Sequence, residues 1–153
     1  MDATKLLEKD HREVEALFKK FEGAGDNATK TKQDIADTII EELTIHAEIE
    51  EEIFYPAVKS EVDEAVDVVL EAVEEHHVAE TLMEEIKRLT SEDEQFDAKV
   101  TVLIENVRHH KDEEEQEMFP KVRKAFSKEE LESLGQRMEA AKEQKQQTYA
   151  KSA

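Results

Sequence analysis

The sequence of 153 residues contains no cysteine, which excludes disulfide bonds, a thiolate nucleophile and any metal site with sulfur ligands. Any metal must therefore be held by histidine and carboxylate side chains. Glycine and proline are also scarce, at three and two residues, which is too few for a protein made of many short strands. The abundance of Glu, Lys, Ala, Leu and Val instead favours long helices, so we predict an all-α fold.

Long hydrophobic runs are absent as well, since no stretch approaches the roughly 20 apolar residues that a helix needs to cross a bilayer. The start, MDATKLLEKDH, lacks the basic and then apolar order of a signal peptide. Positive charge is in short supply, and the net charge of -19 would repel a phosphate backbone or an anionic membrane. We therefore expect a soluble, cytoplasmic protein with neither nucleic acid nor membrane as a partner.

Apolar residues at helical spacing predict two long amphipathic helices in the first part of the chain. The first helix runs from about residue 4 to 22, and the stretch GAGDNATK ends it. The second starts near Thr29 to Thr31 and runs toward Pro56, where we expect a kink or a stop because proline lacks a backbone N–H.

The same periodicity predicts two more long helices and a shorter one in the second part of the chain. Residues 61 to 89 form the third helix. Ser91 and Glu94 have the types and spacing of a capping box that opens the fourth, and Ser127 and Glu130 repeat this signal before a short fifth helix.

Four long amphipathic helices with short connections predict an antiparallel up-down-up-down four-helix bundle, with the short C-terminal helix packed across an end or a side. A chain of this length is the right size for one domain with a real core. We therefore predict one domain over residues 1–148, followed by a frayed tail at 149–153.

The histidines fall on the four predicted long helices, as His11, His46, the pair His76 and His77, and the pair His109 and His110. His46 follows His11 by 35 residues, and His110 follows His76 by 34. This near-equal spacing indicates one helix pair used twice, with the same chemistry in each half.

Helical periodicity selects one histidine from each adjacent pair. His76 shares a helix face with apolar residues, whereas His77 would share a face with glutamates. His110 also lies on an apolar face, and it alone of its pair stands ten residues before a proline, as His46 does. We therefore predict that His76 and His110 face the core and that His109 points toward solvent or a helix interface.

Two similar frames carry the chemistry, HAEIEEEIFYP at residues 46–56 and HKDEEEQEMFP at 110–120. Each places a glutamate four residues after a histidine, giving the pairs His46 with Glu50 and His110 with Glu114. Residues at this spacing lie one above the other on a helix face, so both pairs should point into the bundle. Ideal geometry turns Tyr55 about 180° from its histidine; because Pro56 could distort that end of the helix, the place of Tyr55 stays open.

Four core-facing imidazoles and two carboxylates would be costly to bury without compensation, and a metal is the natural compensation. They are too many ligands for one tetrahedral zinc ion and too rich in nitrogen for magnesium or calcium. The set suits two redox metals bridged by carboxylates, with iron favoured, and bundle interiors host such centres.

In order and spacing, these motifs resemble the hemerythrin-like family of HHE cation-binding domains. The matching motifs are DH at 10–11, HAEIEEEIFYP, EHH at 75–77 and HKDEEEQEMFP, and the resemblance covers about residues 3 to 145. It implies an antiparallel four-helix bundle around a non-haem di-iron centre whose two iron ions are oxo- or hydroxo-bridged. By position, it implies that His11 and His46 ligate one iron, that His76 and His110 ligate the other, and that Glu50 and Glu114 bridge them.

The chain departs from the oxygen-carrying members of the family at Glu80, where they have a further histidine four residues after the one on the third helix. As a metal ligand, Glu80 would add negative charge and stabilise the ferric state, which disfavours simple oxygen carriage. Alternatively, Glu80 is solvated or hydrogen-bonds a ligand histidine. Glu15, four residues after His11, has the same alternatives.

We hypothesise a di-iron protein that binds or reduces a small oxidant, which is peroxide, oxygen or nitric oxide, with catalase-like peroxide disproportionation favoured over oxygen carriage. No catalytic group beyond the metal ligands is predicted, and no protein partner is named. The alternative is a module for iron sensing, oxygen sensing or iron handling without turnover. A third hypothesis, a metal-free acidic interaction protein, leaves the doubled frame unexplained.

Overall fold

Helices make up nearly all of the protein in a computed structural model that describes residues 1–25 and 27–152. No strand occurs among these described residues, and the predicted all-α class is confirmed. The α-helices are α1 Ala3–Gly23, α2 Thr29–Ile49, α3 Tyr55–Glu61, α4 Val66–Lys87, α5 Phe96–Glu113, α6 Phe119–Ala125 and α7 Lys128–Ser152. None of the described helices is long and apolar enough to cross a membrane.

Two five-residue π-helical segments interrupt the second and fourth long elements: π1 is Glu50–Phe54, between α2 and α3, and π2 is Glu114–Met118, between α5 and α6. In π1 the N–H of Tyr55 donates to the carbonyl of Glu50, five residues earlier. Of the kink or stop predicted at Pro56, the stop is wrong, because the helical path continues to Glu61. The distortion lies in the turn before the proline, which has no N–H to donate.

The elements pack as a bundle consistent with the predicted antiparallel arrangement. α1 lies against α2, α4 lies against α5, and α7 lies along α1 and α2. The C-terminal helix is not short as predicted, because α7 has 25 residues and extends to Ser152. Ala153 is outside the described residues, and the domain over 1–148 with a frayed tail after it stays a prediction.

The two predicted capping boxes have different outcomes. At the start of α7 the box is confirmed, since Glu130 N–H donates to Ser127 Oγ and Ser127 N–H donates to Glu130 Oε1, both at 3.1 Å. The box predicted at Ser91 and Glu94 is wrong, because α5 begins only at Phe96 and has no side-chain cap. A local hydrogen bond competes with the predicted cap. The Asp93 carboxylate accepts the Thr90 N–H at 2.6 Å and stabilises a turn in place of a helix start.

The stretch GAGDNATK ends the first helix as predicted, since α1 stops at Gly23 and α2 starts at Thr29. Asp26, within this stretch, lies outside the described residues.

Buried apolar side chains form two clusters, one containing Phe54 and Phe119 and the other containing Phe18 and Phe96. His11 on α1 lies between the two along its helix, with Leu7 in the first cluster and Val14 in the second. The histidines on α2, α4 and α5 lie at similar levels. The fold therefore places a layer of polar side chains between two apolar clusters.

Candidate metal centre

Glu50, the first residue of π1, is fully buried and faces two histidines from different helices. Its Oε1 atom lies 3.2 Å from His46 Nε2 on α2 and 3.1 Å from His76 Nε2 on α4. One carboxylate thus connects an imidazole of the first half of the chain with an imidazole of the second half.

Glu114, the first residue of π2, has the equivalent position and is 1% exposed. Its Oε1 atom lies 3.1 Å from His11 Nε2 on α1, and its Oε2 atom lies 3.3 Å from His110 Nε2 on α5. The two carboxylates and the four Nε2 atoms therefore converge on one buried region.

These six side chains divide into two groups that could each hold a metal ion, within which the ligand atoms all lie within 4.8 Å of one another. The groups are His11, His46 and Glu114, and Glu50, His76 and His110. Each glutamate also reaches a histidine of the other group, at 3.2 Å for Glu50 and 3.3 Å for Glu114. This is the arrangement that two carboxylates bridging two metal ions require.

The donor set fits a cation because several of its polar atoms are buried without a hydrogen-bond partner. These atoms are Nε2 of His11 and His46, both carboxylate oxygens of Glu50, and Oε1 of Glu114. Buried polar atoms are normally paired, and a cluster of lone pairs aimed at one region is what a metal ion satisfies. The residues present therefore fit the group that the sequence predicts.

Each of the four histidines uses its other ring nitrogen, Nδ1, to donate to a carboxylate. The pairs are His11 with Glu115 at 2.6 Å, His46 with Asp10 at 2.9 Å, His76 with Glu51 at 3.0 Å and His110 with Glu75 at 3.2 Å. Such bonds fix the ring orientation, so that each Nε2 atom faces the centre.

Sequence reasoning missed these four carboxylates, although the internal repeat contains a signal for them. Asp10 and Glu75 each precede a predicted ligand histidine, and Glu51 and Glu115 each follow a predicted bridging glutamate. Because both halves of the chain use the same offsets, the outer carboxylates repeat with the same pseudo-symmetry as the ligands.

Tyr55 also belongs to the site, and its place depends on π1. Its hydroxyl is buried and donates to Glu114 Oε2 at 2.6 Å, and it lies 3.3 Å from Nε2 of His110 and 3.4 Å from Nε2 of His76. One extra residue in a helical turn rotates the subsequent residues by about 100°, which brings Tyr55 round from the far side of its helix. The repeat places Phe119 at the equivalent position, where it stacks on His11 with ring centroids 6.2 Å apart, so the two halves differ here.

Glu80 and Glu15, the other sequence candidates, are not brought into the centre. Glu80 is exposed on α4, and among the described residues it belongs to no group that could hold a metal. The carboxylates that reach the Nε2 atoms come instead from the π segments. Glu15 instead accepts two hydrogen bonds from Arg108, at 2.9 and 2.7 Å. His109, predicted to point toward solvent or a helix interface, is exposed and lies 2.9 Å from Glu113, and His77 is exposed as well.

A third group, at the surface, consists of Glu75, His109 and Glu113. It adjoins the centre through the bond from His110 to Glu75.

The pKa values of the metal-free centre reflect its mixed charges. Burial lowers the pKa of His110, but hydrogen bonds to Glu114 and Glu75 outweigh it and raise that pKa to about 10. Burial also opposes the charged form of His46, yet Glu50 and Asp10 hold its pKa well above the ordinary value. The pKa of Glu114 is held well below its ordinary value by His11 and His110, despite burial. Without a metal the carboxylates thus favour the protonated forms of His46 and His110, so a metal ion must displace protons from these two imidazoles.

A cavity of about 260 Å³ adjoins the centre and is lined by all four histidines. Its remaining lining combines apolar side chains, among them Val14, Leu43 and Met83, with charged ones such as Glu42 and Lys142. The cavity is large enough for a molecule of a few atoms.

The fold and the site together are those of a class of protein, the helical bundles whose histidine and carboxylate groups could hold cations. Residues 2–122 match the sequence model of the hemerythrin HHE cation-binding domain, and the chain belongs to this family. The resemblance predicted from the four motifs is thereby confirmed.

Two further similarities are informative. The crystal structure of a hemerythrin HHE cation-binding domain-containing protein from Mycobacterium kansasii has a TM-score of 0.83 and 26% identity, covering 97% of this chain and 89% of that one. A protein of Nostoc sp. named DNA nickase is 31% identical over 147 residues, which is 96% of this chain. The chain spans only 41% of the length of that relative.

Proposed function

We propose that the protein is a di-iron protein that disproportionates peroxide, converting two molecules of hydrogen peroxide into water and oxygen. The observation that carries this proposal is the pair of ligand groups that share Glu50 and Glu114 beside a small, largely apolar cavity. Two iron ions would occupy the two groups, with the oxo or hydroxo bridge that the family resemblance implies. Oxygen and nitric oxide are the other small ligands that a cavity of this size would admit.

When bound, the iron pair would supply the redox equivalents and the Lewis acidity of the reaction. The protein supplies binding and orientation. The four imidazoles hold the ions, and the two buried carboxylates hold the halves of the site together. The outer carboxylates fix the imidazole rings, and the Tyr55 hydroxyl fixes Glu114 by donating to it.

Peroxide turnover is favoured over oxygen carriage by the symmetry of the ligand groups. Each group contributes two imidazoles and one carboxylate. At position 80, where the oxygen-carrying members have a fifth histidine, this chain has an exposed glutamate. Within residues 1–25 and 27–152, the two groups therefore offer each ion the same number of imidazoles, and position 80 adds none.

DNA is not part of the proposal, although a relative is named a nickase. The net charge of -19 would repel a phosphate backbone, and lysine and arginine together number 21 against 40 acidic residues.

The test of the proposal is the rate of peroxide loss with iron-loaded protein. Loss of an outer partner of a metal ligand typically lowers activity by about 10- to 100-fold. Because His46→Ala and His110→Ala each remove a ligand itself, we expect each to lower the rate of peroxide loss by a larger factor. His109→Ala is the matched control, since it removes an adjacent exposed histidine. An iron-loaded wild-type protein that is inert to peroxide would contradict the proposal.

Tyr55→Phe should leave metal binding largely intact but lower peroxide turnover by about tenfold, because Glu114 loses the donor that fixes it. Burial, together with Glu114 and Glu50, holds the pKa of Tyr55 well above its ordinary value, so the hydroxyl keeps its proton at neutral pH. The other tyrosine, Tyr149, provides the control variant Tyr149→Phe. Equal kcat values in the two variants would show that Tyr55 does not contribute to the active centre.

A sensing or iron-handling role is a second candidate, and the unpaired buried atoms of the centre favour it. A metal ion that satisfies these atoms also stabilises the bundle, so loading could change what the protein contacts. This role predicts higher melting temperature and protease resistance on iron loading, without peroxide turnover. Identical melting temperatures and protease resistance with and without iron would exclude it.

A further inference from the structure

We call the group of His11 and His46 and the group of His76 and His110 the two half-sites, and the carboxylates that accept from the histidine Nδ1 atoms the outer carboxylates. The outer carboxylates of the two half-sites differ in the surroundings of Asp10. This side chain is 9% exposed and is held from two sides. Its Oδ2 atom accepts from His46 Nδ1 at 2.9 Å, and its Oδ1 atom accepts from Lys142 Nζ at 2.5 Å. A chain of contacts thus joins a lysine through an aspartate to an imidazole of the centre.

Glu75, the repeat-equivalent of Asp10, has a different neighbourhood. It accepts from His110 Nδ1 at 3.2 Å, and its other close neighbours are His109 and Glu113. Within residues 1–25 and 27–152, no lysine or arginine forms an ion pair with Glu75. The outer carboxylate of the first half-site is therefore paired directly with a lysine, with Glu42 nearby, whereas that of the other has a second carboxylate and His109 as its neighbours.

The lysine comes from α7, which lies beyond residues 2–122, the part of the chain that matches the family. α7 reaches Asp10 because it packs along α1 and α2. Lys145, one turn further along α7, pairs instead with Glu48 at 3.1 Å and Glu52 at 2.9 Å. Two lysines of one helix thus have similar surroundings, but only one contacts a partner of a ligand histidine.

We propose that Lys142 is a positioning residue that offsets the charge of Asp10 and makes the half-site of His11 and His46 the weaker of the two cation sites. This inference rests on the proposed metal centre. A carboxylate at Nδ1 strengthens an imidazole as a ligand, and a lysine on that carboxylate reduces the effect. The positive charge of the lysine also opposes a second cation nearby, in a partly buried region where screening is weak.

A consequence is an order of loading. The half-site of His76 and His110, backed by Glu75 and Glu113, fills first, and the half-site of His11 and His46 fills second. The helix that closes one side of the bundle therefore also sets the difference between the two ions.

The experiment is an anaerobic titration of the protein with ferrous ion by calorimetry, which reads metal binding without any peroxide turnover. We expect two unequal steps in the wild type. Lys142→Met should strengthen the weaker step by about tenfold, whereas Lys142→Arg should preserve it. Lys145→Met, which removes a lysine of the same helix without touching Asp10, should leave both steps unchanged.

Equal steps in the wild type, or a Lys142→Met isotherm that matches Lys145→Met, would overturn the inference. So would weaker binding in Lys142→Met, because that is the result of a merely structural contact. Melting curves of the metal-free variants verify that each is folded. Protein that shows the expected isotherms but ignores peroxide would contradict the proposed function and leave this inference standing, whereas wild-type protein that binds no ferrous ion would end both.

Discussion

We expect Glu114→Gln to abolish tight metal binding at both half-sites and Glu117→Gln, three residues further along the same π segment, to leave metal binding intact. The expected difference arises from the contacts of Glu114, whose two oxygens face histidines of different groups. An amide in its place offers one neutral oxygen and cannot hold two cations. Glu117 is exposed and contacts none of the ligands.

The metal-free Glu114→Gln protein should also be less stable, by about 3 kcal/mol or more, because a buried charge pair loses one partner. Iron analysis after gel filtration gives the metal content, and thermal unfolding of the metal-free variants gives the stability. Glu50→Gln, at the repeat-equivalent position, should reproduce both effects. A Glu114→Gln protein that retains one ion with unchanged affinity would show that this carboxylate is not shared between the half-sites.

Periodicity was sufficient to place the main ligand candidates on the correct faces. The choice of His76 over His77 needed only the apolar spacing along one helix, and the structure buries the first and exposes the second. The same reasoning separated His110 from His109. Side chains in a regular helix can be placed from sequence because each residue turns by a fixed angle.

The π segments are where this reasoning failed. The run Glu50, Glu51, Glu52 contains a buried residue of the centre, an acceptor for His76 and an exposed side chain, and composition alone does not tell them apart. The place of Tyr55 stayed open in the sequence, since ideal geometry turns it away from His46 and only the extra residue of π1 brings its hydroxyl to the centre. The prolines marked both distortions, but their effect appears one turn earlier than expected.

Long-range contacts could not be predicted from the sequence, for a different reason. Asp10 and Lys142 are 132 residues apart, and no local pattern links them. The length of α7 was underestimated because its face is mostly polar and gives a weak periodic signal. Contacts of this kind depend on how the helices pack.

The stability of the metal-free protein should depend on pH through the buried histidines and carboxylates of the centre. The pKa of His110 is raised to about 10 from an ordinary 6.5, and those of His46 and His76 are also raised. The stability these groups contribute is fully present below about pH 6.5 and is lost as pH rises through their folded-state pKa values. Asp10 and Glu114 have lowered pKa values, so their contribution is lost as pH falls below their ordinary values of 3.8 and 4.5. Metal-free stability should therefore be highest between about pH 4.5 and 6.5 and should decline toward pH 10.

The affinity for metal should rise with pH, opposite to the stability of the metal-free protein, because a metal ion and a proton compete for each Nε2 atom. Between pH 6.5 and 9 we expect the affinity to rise by up to about tenfold per pH unit for each proton released. The difference in melting temperature between metal-loaded and metal-free protein should therefore increase with pH, because the metal-free protein loses stability while the metal-loaded protein gains binding free energy.

Calorimetric titration in buffers of different ionisation enthalpy counts the protons released, and melting curves give the difference in melting temperature. His109→Ala should preserve both slopes, since this histidine is exposed and belongs to neither buried group. His110→Ala should flatten the decline of metal-free stability, because it removes the group whose pKa is raised to about 10. A metal affinity that is constant from pH 6.5 to 9 would mean that the imidazoles are already neutral in the metal-free protein, and the charge pairing inferred for the centre would be wrong.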